Sequence, residues 1–127
     1  MKKMIALLTS LLGSSGLFAE SVPAVSPQQA VKMQAEQKAV IIDVRENDEW
    51  NAGHIAGAIH IPLSEISNRL TELEKYKNAP IIMQCRSGAR SAKAADVLAK
   101  AGFSQVFNMA GGLNAWQKAD LKTIKAN

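Results

Sequence analysis

The single cysteine of this chain, Cys85, opens the run Cys85-Arg86-Ser87-Gly88-Ala89-Arg90. A thiolate is the reactive form of cysteine, and an ordinary thiol pKa near ~8.5 falls when the sulfur faces a helix N-terminus or neighbouring arginines. This run offers both. Gly88 lets a short loop turn tightly, so that the successive N–H groups of Arg86 to Arg90 converge on one point at a helix start, as in anion-binding nests. Arg86 and Arg90 add two guanidinium groups, whose geometry suits oxyanions, and Ser87 and Ser91 bring hydroxyl donors. The chemistry these residues fit is nucleophilic attack by sulfur, with the charged product held by amides rather than by a proton.

Loop length limits what the ring can hold. Cys-x4-Arg is one residue shorter than the Cys-x5-Arg loop of cysteine phosphatases, which must encircle a tetrahedral phosphate. One extra sulfur atom fits the smaller ring. A free cysteine commonly serves as a small buried hydrophobe, but such a residue has no need of the charges and donors that follow Cys85.

The flanking elements place the cysteine. Ala79 to Gln84, APIIMQ, is a short apolar run that reads as a buried strand, and it delivers Cys85 at its carboxyl end, where open α/β sheets build sites. Ser91 to Ala101 follows as a helix, with Ala92, Ala95, Leu98 and Ala99 on one face and Gly102 as its stop. Upstream, Ser26 and Pro27 read as N-cap and first turn of a helix reaching about Lys38, and Ala39 to Val44 is a second buried strand whose end carries Asp43 and Arg45. A helical turn at Glu46 to Trp50, a short strand at Ala58 to Ile61, a helix from Leu63 to about Tyr76, a strand at Gln105 to Met109 and a helix from Leu113 to about Ala119 complete the order. Val22 to Val25 is a candidate edge strand, and Lys122 to Asn127 a frayed tail. Strands alternating with helices, too far apart for hairpins, indicate an α/β fold: a parallel sheet with helices on both faces.

The chain's 127 residues, 47% of them hydrophobic, suit one compact domain. Lys2 and Lys3, the apolar run Ile5 to Leu12 and the small residues Gly13 to Ala19 outline a secretory signal peptide over residues 1–19. Polar residues and glycines interrupt it, so it falls short of the ~20 apolar residues of a membrane span, and removal is expected, after Ala19 or else Ala24, leaving no stable membrane anchor. Residues 20–26 are then a linker or edge strand, 27–121 the domain and 122–127 a flexible tail. Losing Lys2 and Lys3 leaves 13 basic against 11 acidic residues, interleaved, a balance too mild for a nucleic-acid partner. A lone cysteine in an exported, oxidising compartment, here expected to be a bacterial periplasm, cannot form an internal disulfide and implies a use for the thiol.

Four stretches in order, DVRE at Asp43 to Glu46, GHIAGAIHIP at Gly53 to Pro62, CRSGAR at Cys85 to Arg90 and AGGLNAW at Ala110 to Trp116, resemble the rhodanese-like domain family. The resemblance covers most of residues 26–120, departing from the family's common wording at Ala56, where proline is frequent, and at the arginine directly after the cysteine. It implies a single-domain fold with a five-stranded parallel sheet, and a two-step sulfur transfer from thiosulfate or a related donor, through a Cys85 persulfide, to cyanide, a thiol or a protein sulfur acceptor. Cys85 is then the nucleophile, and Arg86, Ser87, Gly88, Ala89 and Arg90 bind the substrate sulfur. No metal or organic cofactor is implied. Asp43 and Arg45, near the site, are expected to brace loops, and His54 to fix a loop rather than form a Cys–His pair. His60 falls in a strand, and Trp50 and Trp116 fill the core or cover the rim. A sulfur-carrier or anion-binding module is the alternative, and a cysteine phosphatase or arsenate reductase is disfavoured by the short loop.

Overall fold

The computed structural model describes residues 22–126, so the signal segment expected over residues 1–19 lies outside the described residues. The described residues open with a two-residue strand, β1 (Ala24–Val25), followed by a helix, α1 (Pro27–Gln37). Ser26 and Gln29 cap α1 reciprocally: the Ser26 hydroxyl accepts from the Gln29 amide at 3.1 Å, and Gln29 Oε1 from the Ser26 amide at 2.7 Å. Two donors that the first turn would leave orphaned are thereby satisfied.

β2 (Val40–Asp43), α2 (Asn47–Ala52) and β3 (Ile59–His60) follow, then two 3₁₀ helices, β4 (Ile81–Gln84), α3 (Ala89–Lys100), β5 (Val106–Met109) and α4 (Gly112–Lys118). All five strands are parallel, in the order β1-β5-β4-β2-β3. The sheet therefore has the expected rhodanese-like form, with β4, which leads to Cys85, at its centre.

Alternation along the central strands divides the core in two. Ile42, Val44, Ile81, Met83 and Cys85 share one face with Ala94, Ala95 and Leu98 of α3. Ile41, Ile82 and Met109 point to the other, against Ala30 of α1 and Leu113 and Trp116 of α4. With period two along each strand, residues 83 and 85 must lie on the same side, so the cysteine faces α3.

Two expectations are corrected. The helix expected over Leu63 to Tyr76 is two 3₁₀ helices, Leu63–Asn68 and Leu70–Tyr76, broken at Arg69 with φ −121°. Leu63 and Ile66, then Leu70 and Leu73, are each three residues apart and pack on the same core. That spacing matches three residues per turn, and the odd residue falls at the break. The tail expected to fray from Lys122 is tied down as far as Ala126. His54 and Ile124 exchange backbone hydrogen bonds of 2.8 Å, Ala126 N–H donates to Asn51 O, and Trp116 Nε1 donates to Lys122 O at 3.0 Å.

Candidate active site

Cys85 sits where β4 ends, and two helices begin against the backbone around it. α3 starts from Gly88, whose φ of 111° lies in the region glycine occupies freely. That turn aims the Gly88 N–H at the cysteine, with N to Sγ 3.1 Å. From the opposite face of the sheet, the first amides of α4 hold the same loop: Leu113 N–H donates to Cys85 O at 2.8 Å and Asn114 N–H to Arg86 O at 3.0 Å. The wholly buried Gln84 side chain adds a third bond, to Cys85 O at 2.7 Å.

The sulfur lies at the bottom of this arrangement, the residue being 1% exposed. Burial by itself pushes the thiol up, but hydrogen bonds from the Ser91 hydroxyl and from the amides of Ser91, Gly88 and Ser87 outweigh it and bring the pKa below the ordinary value. An inert core cysteine has burial without the donors. Here the donors are present, and the thiolate forms more readily than from an ordinary thiol.

Ser91 Oγ stands 3.4 Å from Cys85 Sγ, 3.2 Å from Gly88 O and 2.6 Å from Asn108 Oδ1. A hydroxyl has one proton to give, so these acceptors compete. Asn108 Nδ2 donates to Gly88 O at 3.1 Å, which fixes the amide with its oxygen toward Ser91. Asn108, on β5, thus ties the start of α3 to the serine that faces the sulfur.

Both arginines turn to one carboxylate. Arg90 makes a two-pronged pair with Glu49, at 2.8 and 3.0 Å, and Arg86 Nε donates to Glu49 Oε2 at 3.3 Å. The Glu46 amide also donates to Glu49 Oε1, at 3.0 Å. Pairing with Arg90 first, then the bonds from Glu46 and Arg86, lowers the Glu49 pKa to about 2 despite partial burial, and raises that of Arg90. The two positive charges expected at the pocket are therefore partly offset by a negative one.

Asp43 and Arg45 form a buried ion pair, 0% and 1% exposed, with Arg45 Nη2 2.8 Å from Asp43 Oδ2. Arg45 Nη2 also donates to Gly53 O at 2.7 Å. The pair holds the end of α2, the helix that carries Glu49, and makes no contact with the sulfur. His54 and His60 are likewise occupied elsewhere. Since a carbonyl only accepts, His54 Nδ1–H donates to Trp50 O and His60 Nε2–H to Arg45 O, at 2.9 and 2.7 Å. Both rings stack on Trp50, with centroids 3.5 and 4.7 Å away. Among the described residues, no group of three or more His, Cys, Asp and Glu side chains gathers as a metal site would.

Sequence reasoning located Cys85 and the loop but missed Glu49 and Asn108, which lie 41 and 17 residues from their partners Arg90 and Ser91. The acidic cluster Glu46, Asp48 and Glu49, at the end of the strand expected over Ala39 to Val44, was the available signal for the first.

Comparison with known proteins agrees with this geometry. The rhodanese-like domain family matches residues 26–119. An uncharacterized protein of Escherichia coli K12, YibN, is 35% identical over 123 residues, which are 95% of this chain and 86% of YibN. The thiosulfate sulfurtransferase GlpE of Ectopseudomonas mendocina is 34% identical over 93 residues, 73% of this chain and 83% of GlpE. Among solved structures, a rhodanese-related protein from Thermoplasma volcanium superposes with a TM-score of 0.72 at 25% identity, over 80% of this chain and 97% of that one. With the cysteine loop at the carboxyl end of a central parallel strand and the family match running nearly the length of the described residues, this chain belongs to the rhodanese-like domain family.

Proposed function

We propose that this chain is a sulfurtransferase that carries sulfane sulfur on Cys85. The carrying observation is the Gly88 amide 3.1 Å from the sulfur, with the Ser91 hydroxyl at 3.4 Å. Donors placed around a sulfur at a pocket floor stabilise an anion without transferring a proton to it, and a persulfide is such an anion. The Cys85 thiolate attacks the outer sulfur of thiosulfate or a related donor. An S–S bond to Cys85 forms, and the donor's own bond to that sulfur breaks, its electron pair leaving with sulfite. Cyanide or a thiolate then attacks the outer sulfur of the persulfide, giving thiocyanate or a new persulfide and returning the Cys85 thiolate. Charge is conserved in both steps.

Thiocyanate formation from thiosulfate and cyanide tests the reading. Wild-type protein should turn over and Cys85→Ala should not, whereas equal rates would overturn the assignment. A sulfur-carrier role serving a partner protein is the second reading, favoured by the near-complete burial of Cys85 and the engagement of both arginines by Glu49. It predicts a stable Cys85 persulfide with negligible turnover at saturating donor and acceptor. The reading includes export to the periplasm with loss of Met1 to Ala19. N-terminal sequencing of protein recovered from that compartment, with Glu20 first, would support it, and an intact Met1 would overturn it.

A further inference from the structure

We propose that Glu49 sets the charge preference of the Cys85 pocket, its fixed negative charge weighing more against doubly charged thiosulfate than against singly charged sulfur donors, organic persulfides and thiosulfonates. This deepens the sulfurtransferase reading by naming its donor class, and rests on that reading for the word donor.

Arg86 and Arg90 supply two positive charges, and Glu49, held by both, supplies one negative charge. The Cys85 thiolate supplies another, and the Glu46 carboxylate also acts on Arg90, so the two positive charges are fully offset. Four donors, two from Arg90 and one each from Arg86 and the Glu46 amide, fill the acceptor positions of the carboxylate. Glu49 therefore has neither a free lone pair for a proton nor freedom to swing away, and acts as a fixed charge. An incoming anion bearing two charges meets this field twice as strongly as one bearing a single charge.

Coulomb's law makes the test quantitative, because interaction energy is proportional to ligand charge. Removing one negative charge near the bound anion, screened nearly as in water, strengthens binding of a monoanion about threefold and of an isosteric dianion by the square of that, about ninefold. Sulfate and methanesulfonate are such a pair, alike in size and different by one charge. Protection of Cys85 from iodoacetamide by each anion, in wild type and Glu49→Gln, reads the preference with no sulfur transfer required. In Glu49→Gln the half-protecting concentration of sulfate should fall about ninefold and that of methanesulfonate about threefold. Arg86→Gln, at the most exposed member of the trio, should shift both the opposite way with the same squared relation, and serves if Glu49→Gln does not fold.

Equal shifts for the two anions would show that Glu49 only positions the arginines, and would overturn the proposal. So would weaker binding of both anions in Glu49→Gln, or no protection by either anion in any of the proteins. The corresponding donors, thiosulfate and methanethiosulfonate, should show the same pattern in KM. Squared shifts in protection without any thiocyanate formation would sink the sulfurtransferase reading and leave the charge preference standing; thiocyanate formation with equal shifts for the two anions would do the reverse.

Discussion

Gly112 packs so closely on Cys85 that a side chain at position 112 would overlap the Cys85 carbonyl oxygen and come within 2.6 Å of Arg86 C. Its φ of 54° is also in the left-handed region. The start of α4 and the cysteine loop are therefore one rigid unit, joined by the Leu113 and Asn114 amides.

Gly112→Ala should lose more than tenfold in sulfur transfer and melt at a lower temperature, since the loop or the helix must give way in addition to backbone strain of about 1–3 kcal/mol. Gly88→Ala is the control. Its φ is positive too, but the nearest atoms to an added Cβ are 3.7 Å away, so it meets strain without overlap. Thermal melts and thiocyanate assays of the two variants check the order, with Gly112→Ala the more damaged.

The pH dependence of Cys85 alkylation follows from its donors. Its midpoint should lie below the ordinary thiol value of ~8.5, and Ser91→Ala should raise it, because burial then pushes upward against fewer hydrogen bonds. The sign carries into stability. A depressed thiol pKa adds stability that grows as pH rises through the folded value, is complete above ~8.5, and is lost as pH falls. Denaturation midpoints of wild type and Cys85→Ala across this range should converge at low pH, relative to their difference at high pH.

Asp43→Ala should destabilise by about 3–5 kcal/mol, because it leaves Arg45 charged and buried without its partner. The double variant Asp43→Leu with Arg45→Met removes both charges and should recover most of that loss. Urea denaturation measures each. Arg45 also holds Gly53 O, at 2.7 Å, so the double variant should still loosen the end of α2 and weaken the Glu49 contacts.

Local signals in the sequence carried much of this arrangement. Ala79 to Gln84 and CRSGAR announced a strand, a tight turn and a helix start, because apolar runs and a glycine act on the residues beside them. The expected start of α3 at Ser91 was two residues late, since Ala89 and Arg90 enter the helix directly from Gly88. What stayed hidden was long-range. Glu49 reaches Arg90 only because β2 and β4 are neighbours in the sheet, and Asn108 reaches Ser91 only because β5 lies beside β4. The roles of Asp43 and Arg45 in bracing a loop could be named from the family resemblance, but their specific hold on Gly53 needed the folded backbone.

The central claim is that Cys85 accepts a sulfur atom, and an intact mass spectrum of purified protein after incubation with a sulfane donor tests it most directly. Thiosulfate and methanethiosulfonate should each be tried, with cyanide added afterwards. The account predicts a gain of about 32 Da, one sulfur, that maps to Cys85, is absent from Cys85→Ala and disappears with cyanide. An unchanged mass with both donors, in folded protein whose thiol still reacts with iodoacetamide, would contradict it.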